Sequence, residues 1–184
     1  MQKNNEARRL LRVMIFSSFL SAMSIVFGKY LAVNVGEVLR FSFENLPIIF
    51  AGMAFGPIAG AAVGVVSDIV GCFLVGYGTL PMVTLGAALV GAVAGLWRFL
   101  PLPDEGFFRY IKIAVSVVAA HTVGSVLVKT VDLAAMYGMT YGALLLWRAL
   151  NYLIISALEV LILSFLMRSN RIRTEISKLN RRRK

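Results

Sequence analysis

Long apolar runs with few charges dominate this chain, and they leave it few ways to fold. The hydrocarbon core of a bilayer is ~30 Å thick and takes roughly 20 consecutive apolar residues as a helix. Runs of that kind lie at 10–28, 57–75, 79–99, 109–137 and 141–167, with a shorter one at 45–56. Of the 184 residues, 59% are hydrophobic and only 15% charged, whereas a soluble domain carries about 25% charged residues. The runs are continuous and do not alternate, which argues against a membrane β-barrel. The expectation is an all-α integral membrane protein: a compact bundle of six transmembrane helices forming one domain over 1–167, followed by a basic cytoplasmic tail at 168–184.

The second run is the anomaly. Residues 38–57 read VLRFSFENLPIIFAGMAFGP. The stretch opens with strand-like alternation, Arg40, Ser42 and Glu44 against Phe41 and Phe43, and closes on Gly56-Pro57. As a helix, the residues from Leu46 to Phe55 rise only ~15 Å. Such a helix spans if it begins back near Arg40, or else lies in a thinned or protein-covered region. The alternating half reads as an extracellular cap loop between helices 1 and 2. Glycines at 52, 56, 60 and 64, and again at 91 and 95, recur every fourth residue. Small residues at that spacing let membrane helices approach closely.

Charge sets the expected topology. Fifteen of the 19 basic residues fall in 1–12, 98–112 and the tail after 167. A six-helix arrangement puts all three regions on one side, and the positive-inside rule makes that side cytoplasmic. Both termini are therefore expected in the cytoplasm, with the tail against anionic lipid headgroups and no role in nucleic-acid binding. Arg8, Arg9 and Arg12 precede an apolar core from Val13 to Phe27 that resembles a signal peptide at its upper length limit; a retained helix is expected.

The remaining basic residues, Lys29, Arg40, Lys129 and Arg148, fall at or toward the outer half, as do Glu37, Glu44, Asp68 and Asp132. Ionisable groups within a membrane are expensive unless paired or wetted and by default mark a functional site. A ligand site and mutual ion pairing are both open on this pattern. His121, Ser125, Lys129 and Asp132 form a helical stripe, with His121 deep and expected to be hydrogen-bonded within the bundle. Arg148 and Asn151 lie one turn apart, and Glu159 sits toward the inner half as a partner for a serine or a subunit contact. Other chemistry is not encoded. No GxxxxGK phosphate loop is present, no His, Cys and acid cluster has metal spacing, and the one histidine pairs with no convincing nucleophile. No enzyme, metal or cofactor is expected. Cys72 stands alone, so no internal disulfide can form.

The run RFSFENLPIIFAGMAFGPIAGAAVGVVSDIVG at 40–71, with TLPMVTLGAALVG at 79–91 and RALNYLI at 148–154, resembles the S components of energy-coupling factor (ECF) vitamin transporters, and most of all their folate-specific members. The resemblance implies a vitamin-binding plasma-membrane subunit with its site near the extracellular side. It also implies docking on a membrane scaffold subunit that carries two cytoplasmic ATPases, and toppling to release the substrate inward. The docking motif of that family is matched by Ser18 and Ala22 in SSFLSAMS, where alanines are usual. A folate would place its pterin edge on a carboxylate and its glutamate carboxylates on Arg or Lys. The resemblance thus assigns Asp68 or Glu44 to the pterin, and Arg40, Lys29 and Arg148 to the carboxylates or the cap. Phe43, Tyr77 and Asn151 become lining residues. Two departures bear on folate. Pro81-Met82-Val83-Thr84 stands where Pro-Gly-Phe-Thr is common, and Lys29 stands where Arg is common; Lys lacks the planar fork of Arg. Another vitamin, a structural envelope protein, and a secondary transporter proton-coupled through Asp68 and Glu159 are the competing readings.

Overall fold

The structure, a computed structural model, describes residues 2–35, 39–76, 78–103 and 106–180. Helix α1 (Gln2–Ile25) runs into a π-helical turn (Val26–Tyr30). A small antiparallel hairpin follows, β1 (Val33–Val35) and β2 (Leu39–Phe41), with Val33 opposite Phe41. Then come α2 (Asn45–Phe55), α3 (Pro57–Val75) and α4 (Pro81–Gly95), the last ending in a 3-10 turn (Leu96–Phe99). Helix α5 (Gly106–Ala120) continues through a π-helical segment (His121–Val128) into α6 (Lys129–Tyr137). Helices α7 (Tyr141–Arg168) and α8 (Asn170–Asn180) complete the described chain. Five stretches are long and apolar enough to cross a bilayer: Glu6–Tyr30, Pro57–Leu74, Pro81–Phe99, Gly106–Tyr137 and Tyr141–Arg168. The six helical segments expected from hydropathy are all present, and of the alternation before Glu44 only its start is strand, in β2.

The short second helix is protein-covered. It starts at Asn45, not near Arg40, and nine of its residues, Asn45 to Ile49 and Ala51 to Ala54, are buried. It packs against α1, α3, α4, α7 and α8. A helix so enclosed need not match the hydrocarbon thickness, because neighbouring protein replaces lipid along its length. The hairpin stands before its N-terminal end. At the other end, α8 packs against α1, α2 and α7, and Ile176 lies against the core. The basic tail is thus folded from its beginning: Asn170 to Asn180 form a helix that docks on the bundle.

Glycine makes the α2–α3–α4 contact possible. A Cβ at Gly60 or at Gly91 would run into the other's backbone, and one at Gly52 would strike the Gly91 carbonyl. These helices touch backbone to backbone, as small residues four apart permit. Gly56 is required for a different reason. Its φ of 103° is open only to glycine; the chain turns there, and Pro57 restarts a helix at the position proline favours.

Candidate functional site

Beneath the hairpin, α1, α2, α3, α4 and α6 converge on a charged cleft with about 20 Å³ of free space. Ser24, Gly28, Lys29, Glu44, Ser67, Asp68 and Lys129 supply its polar lining, and Ile25, Ile48 and Ala87 its apolar wall. That free space is about enough for one water molecule and far below the roughly 300–1,000 Å³ usual for small-molecule sites. Glu44 stands at the centre, at the N-cap of α2. Its Oε1 lies 3.3 Å from Lys129 Nζ, and Ser24 Oγ donates to its carbonyl at 2.7 Å. Gly28 lets α1 pass beside it, since a Cβ there would meet Glu44 Oε2 at 2.7 Å. Across the cleft, Thr84 Oγ1 donates to Asp68 Oδ2 at 2.6 Å. Lys29 reaches between α1 and α3, with Nζ 3.7 Å from Cys72 Sγ.

The electrostatics favour an ionised, acceptor-only Glu44. Burial pushes its carboxyl up, but Lys129, then Arg40, then Lys29 outweigh that and hold it down at about 2. Three cations (Lys29, Arg40, Lys129) stand around two carboxylates (Glu44, Asp68). Among the described residues, Lys129 pairs with Glu44 while no carboxylate approaches Lys29 or Arg40 to ion-pair distance. Pairing and surplus positive charge therefore coexist here.

The expected site residues divide into those in the cleft and those around it. Lys29, Glu44 and Asp68 line it. Arg40 sits on β2 at the rim, where its guanidinium donates to the Gly28 carbonyl and ties the hairpin to α1. Asn151 is buried on α7, and its Nδ2 donates to the Arg40 carbonyl at 3.0 Å, fastening the other side of the hairpin. Phe43 is 38% exposed between β2 and α2, outside the lining. Arg148 also lies outside the lining; its guanidinium donates to the Ser125 carbonyl at 2.6 Å. Tyr77 falls outside the described residues, as does Glu37. Asp132 accepts from the Met82 N–H at 2.7 Å and so caps the start of α4. Farther in, His121 Nε2 lies 2.5 Å from Glu159 Oε2; the partner of Glu159 is a histidine and not a serine.

Ser24, Gly28, Ser67 and Lys129 belong to the cleft and were absent from the sequence-derived set. Lys129 lay in the polar stripe of the fifth span. Ser24 and Gly28 carried a signal too, because Ser21, Ser24 and Gly28 follow helical spacing and are all buried. On the opposite flank of α1, Leu11, Ile15, Ser18 and Ala22 are exposed. Ser18 satisfies its hydroxyl on the Met14 carbonyl at 2.9 Å, leaving a smooth face of mixed small and apolar side chains.

A family described as "ECF transporter, substrate-specific component" matches residues 12–169. The folate transporter FolT of Clostridium novyi (strain NT) is 37% identical over 82 residues, which cover 44% of this chain and 46% of that protein. An uncharacterized MG313 homolog of Mycoplasma pneumoniae is 32% identical over 69 residues, 38% of this chain and 24% of that protein. The matched stretches thus span less than half of either curated relative. Among solved structures, FolT bound with folic acid superposes with a TM-score of 0.68 at 24% identity, covering 83% of this chain and 90% of that one. The S component of a bacterial ECF transporter superposes with a TM-score of 0.62 at 20% identity, covering 86% and 97%. At these identities, the two superpositions establish a shared fold.

Proposed function

The chain belongs to the substrate-specific components of ECF transporters, and from that premise we propose that it captures folate in the cleft beneath the β1–β2 hairpin. Members of this family are non-enzymatic membrane subunits. The observation that carries the folate reading is the meeting of two carboxylates and two lysines in one cleft, with Arg40 at its rim, joined to the 37% identity with a folate transporter over 82 residues. Folate is amphoteric in the same sense. Its pterin edge offers N–H donors to a carboxylate, and its glutamate tail offers carboxylates to cations. Asp68 is oriented by Thr84 and takes the pterin edge, with Glu44 as the second acceptor. Lys29 and Arg40 take the tail carboxylates, together with Lys129. Phe43 and Tyr77 supply aromatic surface beside the hairpin.

The cleft as it stands is closed, its free space of about 20 Å³ admitting no pterin. Entry then requires the hairpin to lift, which breaks the Arg40 and Asn151 tethers, and closure re-forms them over the ligand. Arg148 holds the bundle and does not touch the tail. Transport itself depends on other chains: a membrane scaffold and two cytoplasmic ATPases. The exposed Ser18–Ala22 face of α1 meets the scaffold, and both termini face the cytoplasm with the basic tail at the inner surface.

Mass spectrometry of small molecules released from the detergent-purified protein tests the substrate class directly. Folates in the released fraction, displaced by added folic acid but not by riboflavin or thiamine, are the expected result. A different vitamin in that fraction would overturn the folate assignment. Uptake by vesicles containing this chain alone would overturn the need for partners.

A further inference from the structure

The π-helical segment His121–Val128 runs from the buried His121–Glu159 pair to the cleft. At its inner end His121 Nε2 meets Glu159 Oε2 at 2.5 Å, with both side chains buried. At its outer end the chain passes straight into Lys129, which pairs with Glu44 at 3.3 Å. A π turn widens the helix and disturbs its own backbone hydrogen bonding, and such turns recur at functional sites. Here three successive carbonyls receive side-chain donors. Arg148 donates to Ser125 O at 2.6 Å, Thr130 to Val126 O, and Tyr141 to Leu127 O at 3.0 Å.

Arg148 also stands 5.3 Å over the Tyr152 ring, which in turn lies 4.9 Å from the His121 ring. Ser125 Oγ sits 3.3 Å from His121 Nδ1 and 3.4 Å from Asn45 Nδ2, and Asn45 directly follows Glu44. Midway, Gly124 seats the widened turn on α4: a Cβ there would lie 2.5 Å from the Gly86 carbonyl and 2.6 Å from the Val90 side chain.

We propose that this π-helical segment is a mechanical link between the outer cleft and the His121–Glu159 pair, and that Arg148 is the positioning residue that keeps it in register with Lys129 aimed at Glu44. A one-residue change of register turns the following helix by about 100°, enough to swing Lys129 out of the cleft. Loss of the Glu44–Lys129 contact at one end is therefore felt at His121 at the other. In the ligand-bound protein the inference rests on the folate reading; in the ligand-free protein it does not.

His121 is the only histidine in the chain, so 15N-histidine labelling of the full-length protein yields a single ring to observe by NMR. In ligand-free protein, Glu44→Gln and Lys129→Met, two independent ways of breaking the same pair, are expected to move the His121 ring resonances. Thr84→Val, which alters the partner of Asp68 without touching the segment, leaves them in place. Either ion-pair variant that purifies as a folded protein is sufficient. With folic acid, Arg148→Met weakens binding as much as Lys129→Met does, about tenfold, and the double variant is no weaker than either. Unchanged ring signals in the ion-pair variants, or equal movement in Thr84→Val, overturn the link. Additive losses in the double variant overturn the role of Arg148. If folic acid fails to bind the wild-type protein, the folate reading falls while the ligand-free comparison still decides the link.

Discussion

Glu44 is the residue on which the cleft turns, and its pairing has a measurable pH signature. Its carboxyl is held at about 2 in the folded chain against an ordinary 4.5. A lowered folded-state pKa means its stabilisation is complete above about 4.5 and drains away as pH falls toward 2. Thermal unfolding of wild type and Glu44→Gln in detergent should therefore show a melting-temperature gap that is constant at neutral pH and shrinks through that acid window. A second residue-scale prediction concerns the cap. Asn151 gives one hydrogen bond to the Arg40 carbonyl, and such a bond contributes about 0.5–1.5 kcal/mol. Asn151→Leu should speed folic acid dissociation by roughly 2- to 10-fold, measured by stopped-flow fluorescence, with association little changed. At this scale the sequence disclosed which residues carry charge within the membrane but not their partners. Glu159 and His121 are 38 residues apart, and Arg148 turns to the Ser125 carbonyl and not to the cleft. Partner choice depends on helix rotation, which hydropathy does not encode.

At the scale of elements, glycine spacing was the most informative local signal. It marked the α2–α3–α4 contact, where Gly60 and Gly91 meet backbone to backbone. Gly91→Val forces those helices apart; overpacking of this kind costs about 1–3 kcal/mol and should lower the melting temperature by several degrees or abolish accumulation in the membrane. The exposed face of α1 should behave oppositely. Ser18→Trp or Ala22→Trp leaves folic acid affinity intact and abolishes uptake in cells that supply the scaffold and ATPases, which radiolabelled uptake beside a binding assay would measure. Two elements escaped the sequence. The π-helical segment lies inside a continuous apolar run, and a one-residue widening leaves the hydropathy profile unchanged. Helix α8 hid within a basic tail because its apolar positions, Ile172 and Ile176 among them, are sparse among charges.

For the whole molecule, membrane residence and helix number followed from apolar length alone, since a bilayer demands closed backbone hydrogen bonding over ~30 Å. The short second helix could be placed only in three dimensions, where surrounding protein removes the length requirement. The proposed orientation rests on the distribution of basic residues; a fluorescent protein fused after Lys184 should mature and fluoresce if that end is cytoplasmic, and stay dark if it is not. By this proposal the cleft beneath the hairpin, with its two carboxylates and its cations, holds folate. Isothermal titration of folic acid into the detergent-purified chain tests it most directly, with Asp68→Asn and Lys29→Met alongside. One-to-one binding to wild type is expected, weakened at least tenfold in each variant while the melting temperature stays within a few degrees. Absence of binding heat with wild type, or full affinity in both variants, would contradict it.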